Sequence, residues 1–91
     1  MIDFKSMIEN ETPQDVILYF SGRKLSGISH PQLDGYLTTY SVNGFSNIDL
    51  ILLVREMKGE NMILSNGKGG YKKGRNWISP KFVTEKKYGI E

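Results

Sequence analysis

A chain of 91 residues with no cysteine and a single histidine, His30, leaves little room for metal or thiol chemistry. Disulfides, thiolate nucleophiles, cysteine-held zinc and polyhistidine sites are excluded together, and the length allows one small domain, residues 1–91, with a core near the lower limit of independent stability. The net charge of +2 hides an asymmetry: residues 1–60 carry five Lys/Arg against eight Asp/Glu (−3), residues 61–91 seven against two (+5), and a one-sided excess of this kind turns a protein toward a polyanion.

Residues 2–10 read as a short helix, because Phe4, Met7 and Ile8 recur at i, i+3, i+4, with Asp3 or Ser6 near its start. Thr12-Pro13 ends it, since the residue before proline is pushed out of the α region. The signals then turn to β. Residues 16–20 form an apolar, β-branched and aromatic run suited to a strand buried on both faces. Ser21-Gly22 marks a turn, residues 24–29 alternate polar and apolar, and residues 30–35, with Pro31 and Asp34-Gly35, read as a loop. Residues 36–42 are a third strand, and Asn43-Gly44 is a hairpin turn of the kind that needs positive φ at both central positions. Residues 48–57 make the longest strand, with Ile48, Leu50, Leu52 and Val54 on one face and Ile51 and Leu53 on the other. Lys58 to Asn61 turns the chain into Met62-Ile63-Leu64, and short strands follow around Trp77-Ile78 and over residues 81–84. The expected fold is mostly β: a small, strongly bent barrel of five to six strands, SH3-like, with a short N-terminal α-helix. An open α+β sheet with the helix on one face is the alternative.

Residues 66–76 concentrate the chemistry. Lys68, Lys72, Lys73 and Arg75 lie among four glycines, with Tyr71 and Trp77 interleaved. Glycine lets a backbone approach a ligand, cations attract phosphate, and aromatic faces stack on bases. Gly69 to Gly74 imitates the spacing of a phosphate-binding loop, but Arg75-Asn76 replaces the required Lys-Ser/Thr and no helix follows. Gly67-Lys68-Gly69 likewise lacks the βαβ unit of a dinucleotide fingerprint. What survives is a flexible cationic loop between two strands. Trp77 is expected in the core, since Ile78 and Phe82-Val83 suggest a strand that must bury one face. Tyr19, Phe20, Tyr36, Tyr40 and Phe45 fill the barrel, with one or two left on an outer face as a stacking platform. His30 and Asp34 bracket a loop and could form an imidazole–carboxylate pair, but a general base also needs a nucleophile or polarising group. The adjacent Ser29 would point away, so a turn stabilised by Asp34 is the expectation. Glu9, Glu11 and Asp15 show no oxygen-ligand spacing and read as solubilising.

Gly22-Arg23-Lys24-Leu25-Ser26-Gly27, followed by Asp34-Gly35-Tyr36-Leu37, resembles the first motif of Sm-like RNA-binding proteins, and the helix over residues 2–10 stands where that family has one. The resemblance implies a five-stranded barrel that assembles into rings and binds single-stranded RNA. It puts Asp34, Tyr36 and Thr38 on one ligand loop and Ser65, Asn66 and Lys68 on another. Thr38 replaces the family's base-contacting asparagine, which leaves backbone contact by Lys68.

The expected function is non-enzymatic binding of nucleic acid, single-stranded RNA or DNA, without a cofactor. Its expected residues are Lys68, Tyr71, Lys72, Lys73, Arg75, Trp77 and Tyr36. Two alternatives use the same residues: a protein-interaction module such as a small inhibitor or adaptor, and a binder of a small anionic nucleotide. No apolar run approaches the roughly 20 residues of a membrane span. Asp3 stands where an export signal would be basic, so a cytoplasmic protein is expected, either monomeric or a homo-oligomer.

Overall fold

Thr12 and Pro13 start a helix instead of only ending one. The computed structural model describes residues 1–41 and 44–90. Helix α1 spans Phe4–Asn10 and α2 Pro13–Arg23; strand β1 covers Ile28–Ser29; α3 spans His30–Tyr40 and α4 Asn47–Gly59; β2 covers Ile63–Ser65, β3 Gly70–Lys73, and α5 Lys81–Thr84. The strands form one open antiparallel sheet in the order β1-β3-β2. Five helices and a three-stranded open sheet among the described residues overturn the mostly β, five- to six-stranded SH3-like barrel, and the Sm-like resemblance falls with it.

Residues 16–20 are the middle of α2, where Val16 to Ser21 are all buried. Residues 30–35 are the first half of α3 and no loop. Residues 36–40 continue that helix instead of making a strand. Residues 48–57 lie within α4, and residues 81–84 form α5. The stretch around Trp77-Ile78 has no regular structure. Asn43 of the expected hairpin turn lies outside the described residues, and the elements on either side of that turn are helices.

Capping decided these outcomes. Thr12 Oγ1 accepts from the Asp15 N–H at 3.2 Å, and Ser29 Oγ accepts from the Gln32 N–H at 3.3 Å. Ser46 and Asp49 exchange both hydrogen bonds of a capping box, 3.3 Å and 2.9 Å. The Ser46 N–H holds the Asp49 carboxyl below its usual range, with the Ser46 hydroxyl adding to the effect. Pro13 and Pro31 sit in the first turns of α2 and α3, where a missing N–H costs nothing. On α4, Leu50, Val54 and Met57 are buried at i, i+4, i+7, which is a helical stripe.

The core gathers Met7, Val16, Ile17, Leu33, Leu37, Leu50, Met57, Ile63 and Phe82 from every helix and from β2. The chain after β3 closes it. Phe82 meets Tyr19 and Tyr88 at ring distances of 5.8 and 5.7 Å. Tyr88 ties the two ends together: its carbonyl accepts from the Asp3 N–H at 2.9 Å, and its hydroxyl donates to the Glu11 carboxylate. That carboxylate pushes the Tyr88 phenol up from 10.0 to about 12, with burial acting in the same direction. A raised phenol pKa favours the protonated fold, so this stability is complete below pH 10.0 and is lost as pH rises toward about 12. A phenolate absorbance titration is therefore expected to show one tyrosine ionising last. Tyr88→Phe is expected to remove that step and the matching alkaline loss of stability.

Candidate nucleic-acid interface

The glycine-rich segment holds the turn and second strand of the β2–β3 hairpin, and its glycines divide into two kinds. At the tip, Asn66 Oδ1 accepts from the N–H groups of Lys68 (2.8 Å) and Gly70 (3.0 Å). Gly67 and Gly69 adopt φ of 75°, which an L side chain resists. Gly70 and Gly74 serve packing. A Cβ on Gly70 would lie 2.1 Å from the Ile28 carbonyl oxygen, and one on Gly74 would lie 2.2 Å from that of Asn61. The first close approach lets β3 pair with β1, and the second seats the chain leaving β3. Part of the expected loop is thus strand β3, which makes a hairpin with β2 and leaves Lys68 exposed at the tip.

Pairing carries Lys72 and Lys73 on β3 to the C-terminal end of α2. There they join Arg23 and Lys24 around a groove of about 490 Å³, which Leu25 and Leu64 also line. No carboxylate lines it. Two of the cations are positioned by aromatic rings: Lys73 Nζ stands 4.3 Å from the centre of the Trp77 ring, and the Arg23 guanidinium 5.2 Å from that of Phe4. The α2 macrodipole also favours a cation at Arg23, because the helix C-terminus carries partial negative charge. Lys24 and Lys72 are exposed and complete the cluster.

The expected site residues separate accordingly. Lys72 and Lys73 line the groove, whereas Lys68 and Arg75 are exposed but outside its lining. Tyr71 is half-buried, and burial raises its phenol. Its hydroxyl lies 2.7 Å from His30 Nδ1, while His30 Nε2 lies 2.9 Å from Asn47 Oδ1. A neutral ring with the proton on Nε2 satisfies both: it donates to Asn47 and accepts from Tyr71. His30 thus bridges β3 to the start of α4 and is not paired with Asp34, and the turn expected at Asp34 is part of helix α3. Trp77 donates its indole N–H to the Leu18 carbonyl at 2.8 Å and lies against Gly22. Tyr36 stands in α3, stacked on Phe20 at 4.8 Å and 12°, and with Arg23 and Lys24 it lines a smaller cavity of about 40 Å³.

Sequence reasoning missed Arg23 and Lys24 as site residues. Their signal was two adjacent cations at a helix C-terminus, and it became legible only once that segment was known to be helical. Among the described residues no group of three or more His, Asp or Glu is placed to hold a metal ion, and no helix is long and apolar enough to cross a membrane. No protein-family model matches this chain, and no curated protein or solved structure matches it either.

Proposed function

We propose that the protein binds nucleic acid and holds the phosphate backbone in the groove between the end of α2 and strand β3. The observation that carries this reading is the convergence of Arg23, Lys24, Lys72 and Lys73 on one concavity that no carboxylate lines. Like charges brought together at a surface repel one another, and a polyanion relieves that repulsion while releasing its condensed counterions. The excess of +5 over residues 61–91 lies on the same side of the argument.

Two consecutive helices followed by a hairpin are also the layout of DNA-binding helix-turn-helix modules, an analogy of fold alone. Reading the major groove of a duplex calls for hydrogen-bonding side chains on the second helix. Here α4 exposes Asn47, Arg55 and Lys58 as well as Ile48 (69%), Ile51 (41%) and Leu52 (55%). The groove carries the phosphate contacts in this reading, and the polar side chains of α4 are free to add contacts of their own. The same aliphatic face favours a second reading, a protein-interaction module. Stoichiometric capture of one protein, unchanged by nuclease, would favour it.

The test is a fluorescence-anisotropy titration with a labelled oligonucleotide across a range of salt concentrations. Four cations on phosphates of a single strand are expected to give a log K against log salt slope of about −3, at about 0.7 per phosphate. Absence of binding at micromolar protein and low salt, or binding indifferent to salt, would overturn the proposal.

A further inference from the structure

We infer that α3 carries a notch for an unpaired base, centred on Gly35, which extends the phosphate groove into a track for a single strand. This rests on the nucleic-acid reading above. Gly35 lies in the middle of α3, where glycine is among the poorest residues for a helix. Its backbone is not in the left-handed region, and a Cβ built on it would meet nothing within 4 Å. Gly22, Gly27, Gly70 and Gly74 are all hemmed in by neighbouring atoms, but the fold makes no such demand at Gly35. The exposed face of α3 around it forms a shallow, solvent-open concavity of about 340 Å³.

The lining of this concavity fits a base and does not fit a phosphate. Gln32, Tyr36, Thr39 and Tyr40 border it together with Pro31, and none of them is charged. Phe20 backs the Tyr36 ring at 4.8 Å and 12°, so the aromatic wall is already fixed in place. Aromatic rings stack on every base with little regard to sequence, while the Gln32 amide and the Thr39 hydroxyl offer donors and acceptors to a base edge. The notch is also continuous with the groove. Gln32 and Tyr36 line the small neighbouring cavity together with Arg23 and Lys24, and those two cations line the phosphate groove. A strand with its backbone on the cations can therefore lay a base over Gly35. Bases in a duplex have their faces covered by stacking, so the ligand is single-stranded.

The test compares three probes of equal length: a single-stranded oligonucleotide, the same backbone made abasic, and a duplex. The wild-type protein is expected to bind the base-carrying strand about tenfold or more tightly than the abasic one, and more tightly than the duplex. Gly35→Leu fills the notch and is expected to lower affinity for the base-carrying strand to the abasic level. Affinity for the abasic strand should stay where it was, and the melting temperature should hold or rise, since leucine is the better helix former. Equal affinity of the wild-type protein for base-carrying and abasic strands would overturn the notch and leave the phosphate groove standing. That comparison needs no variant to fold. A Gly35→Leu protein that keeps the full preference would also overturn it, and failure of all three probes to bind would overturn both readings.

Discussion

Trp77→Ala is expected to lower the stability of this protein by about 3 kcal/mol, at the lower end of the range for deleting a packed aromatic because Trp77 is only partly buried. The indole does three things at once. It donates to the Leu18 carbonyl at 2.8 Å, fills the space left by Gly22, and holds Lys73 4.3 Å from its ring centre. A Cβ on Gly22 would lie 2.3 Å from the indole, so ring and glycine are complementary. This gives a sign test. Gly22→Ala alone should destabilise, because an atom would enter occupied space. In the Trp77→Ala background the same change should be neutral, or stabilising by up to about 1 kcal/mol, since alanine is the better helix former. Urea unfolding of the four proteins measures the cycle, and Trp77→Ala with an unchanged midpoint would remove the indole from the set of fold-holding contacts.

The sequence carried more helix information than its apolar runs suggest. Thr12 to Asp15, Ser29 to Gln32 and Ser46 to Asp49 repeat one pattern, a hydroxyl followed three residues later by a polar side chain, and each starts a helix. Residues 16–20 have no period of their own, so a strand and a fully buried helix turn look alike there. Residues 48–57 alternate well enough for a strand, yet Leu50, Val54 and Met57 also satisfy a helical stripe, and the capping box at Ser46 decides between the two. The prolines mislead for a physical reason: Pro13 and Pro31 look like breaks, although a first helical turn has no use for the N–H that proline lacks. Strand β2 is legible because its signal is local, a short apolar run, but β3 at Gly70–Lys73 lies inside the stretch that reads as a glycine-rich loop.

The candidate site was half legible. Lys72 and Lys73 stand out in any reading of a glycine-rich basic segment. Their partners Arg23 and Lys24 lie about fifty residues away in the chain, and only the docking of α2 against β3 brings the pairs together. Chain proximity likewise overstated Arg75, which is close to Lys73 in sequence but absent from the groove lining. In sequence the glycines look like one set. Close approach to Ile28 and Asn61 separates Gly70 and Gly74 from the tip, and that difference belongs to tertiary contact, not composition.

Lys24→Glu with Lys72→Glu is expected to weaken binding of a single-stranded oligonucleotide roughly 100-fold at low salt, because the change both removes and inverts attraction. These two lysines are the choice because they are exposed and neither sits over a ring, unlike Lys73 on Trp77 and Arg23 on Phe4. Surface changes of this kind cost within about 0.5 kcal/mol each, so the melting temperature should barely move. The groove goes from four positive charges to two positive and two negative, and two lost phosphate contacts should flatten the salt slope by about 1.4, at about 0.7 per contact. Arg75→Glu supplies the control. It makes the same change of charge per residue in the turn just after β3, but outside the groove, so its loss of affinity should be several-fold smaller than half the logarithmic loss of the double variant. Equal loss per charge at Arg75 would mean that the protein attracts polyanions through its overall charge. An unchanged salt slope in the double variant would mean that no phosphate lies between α2 and β3.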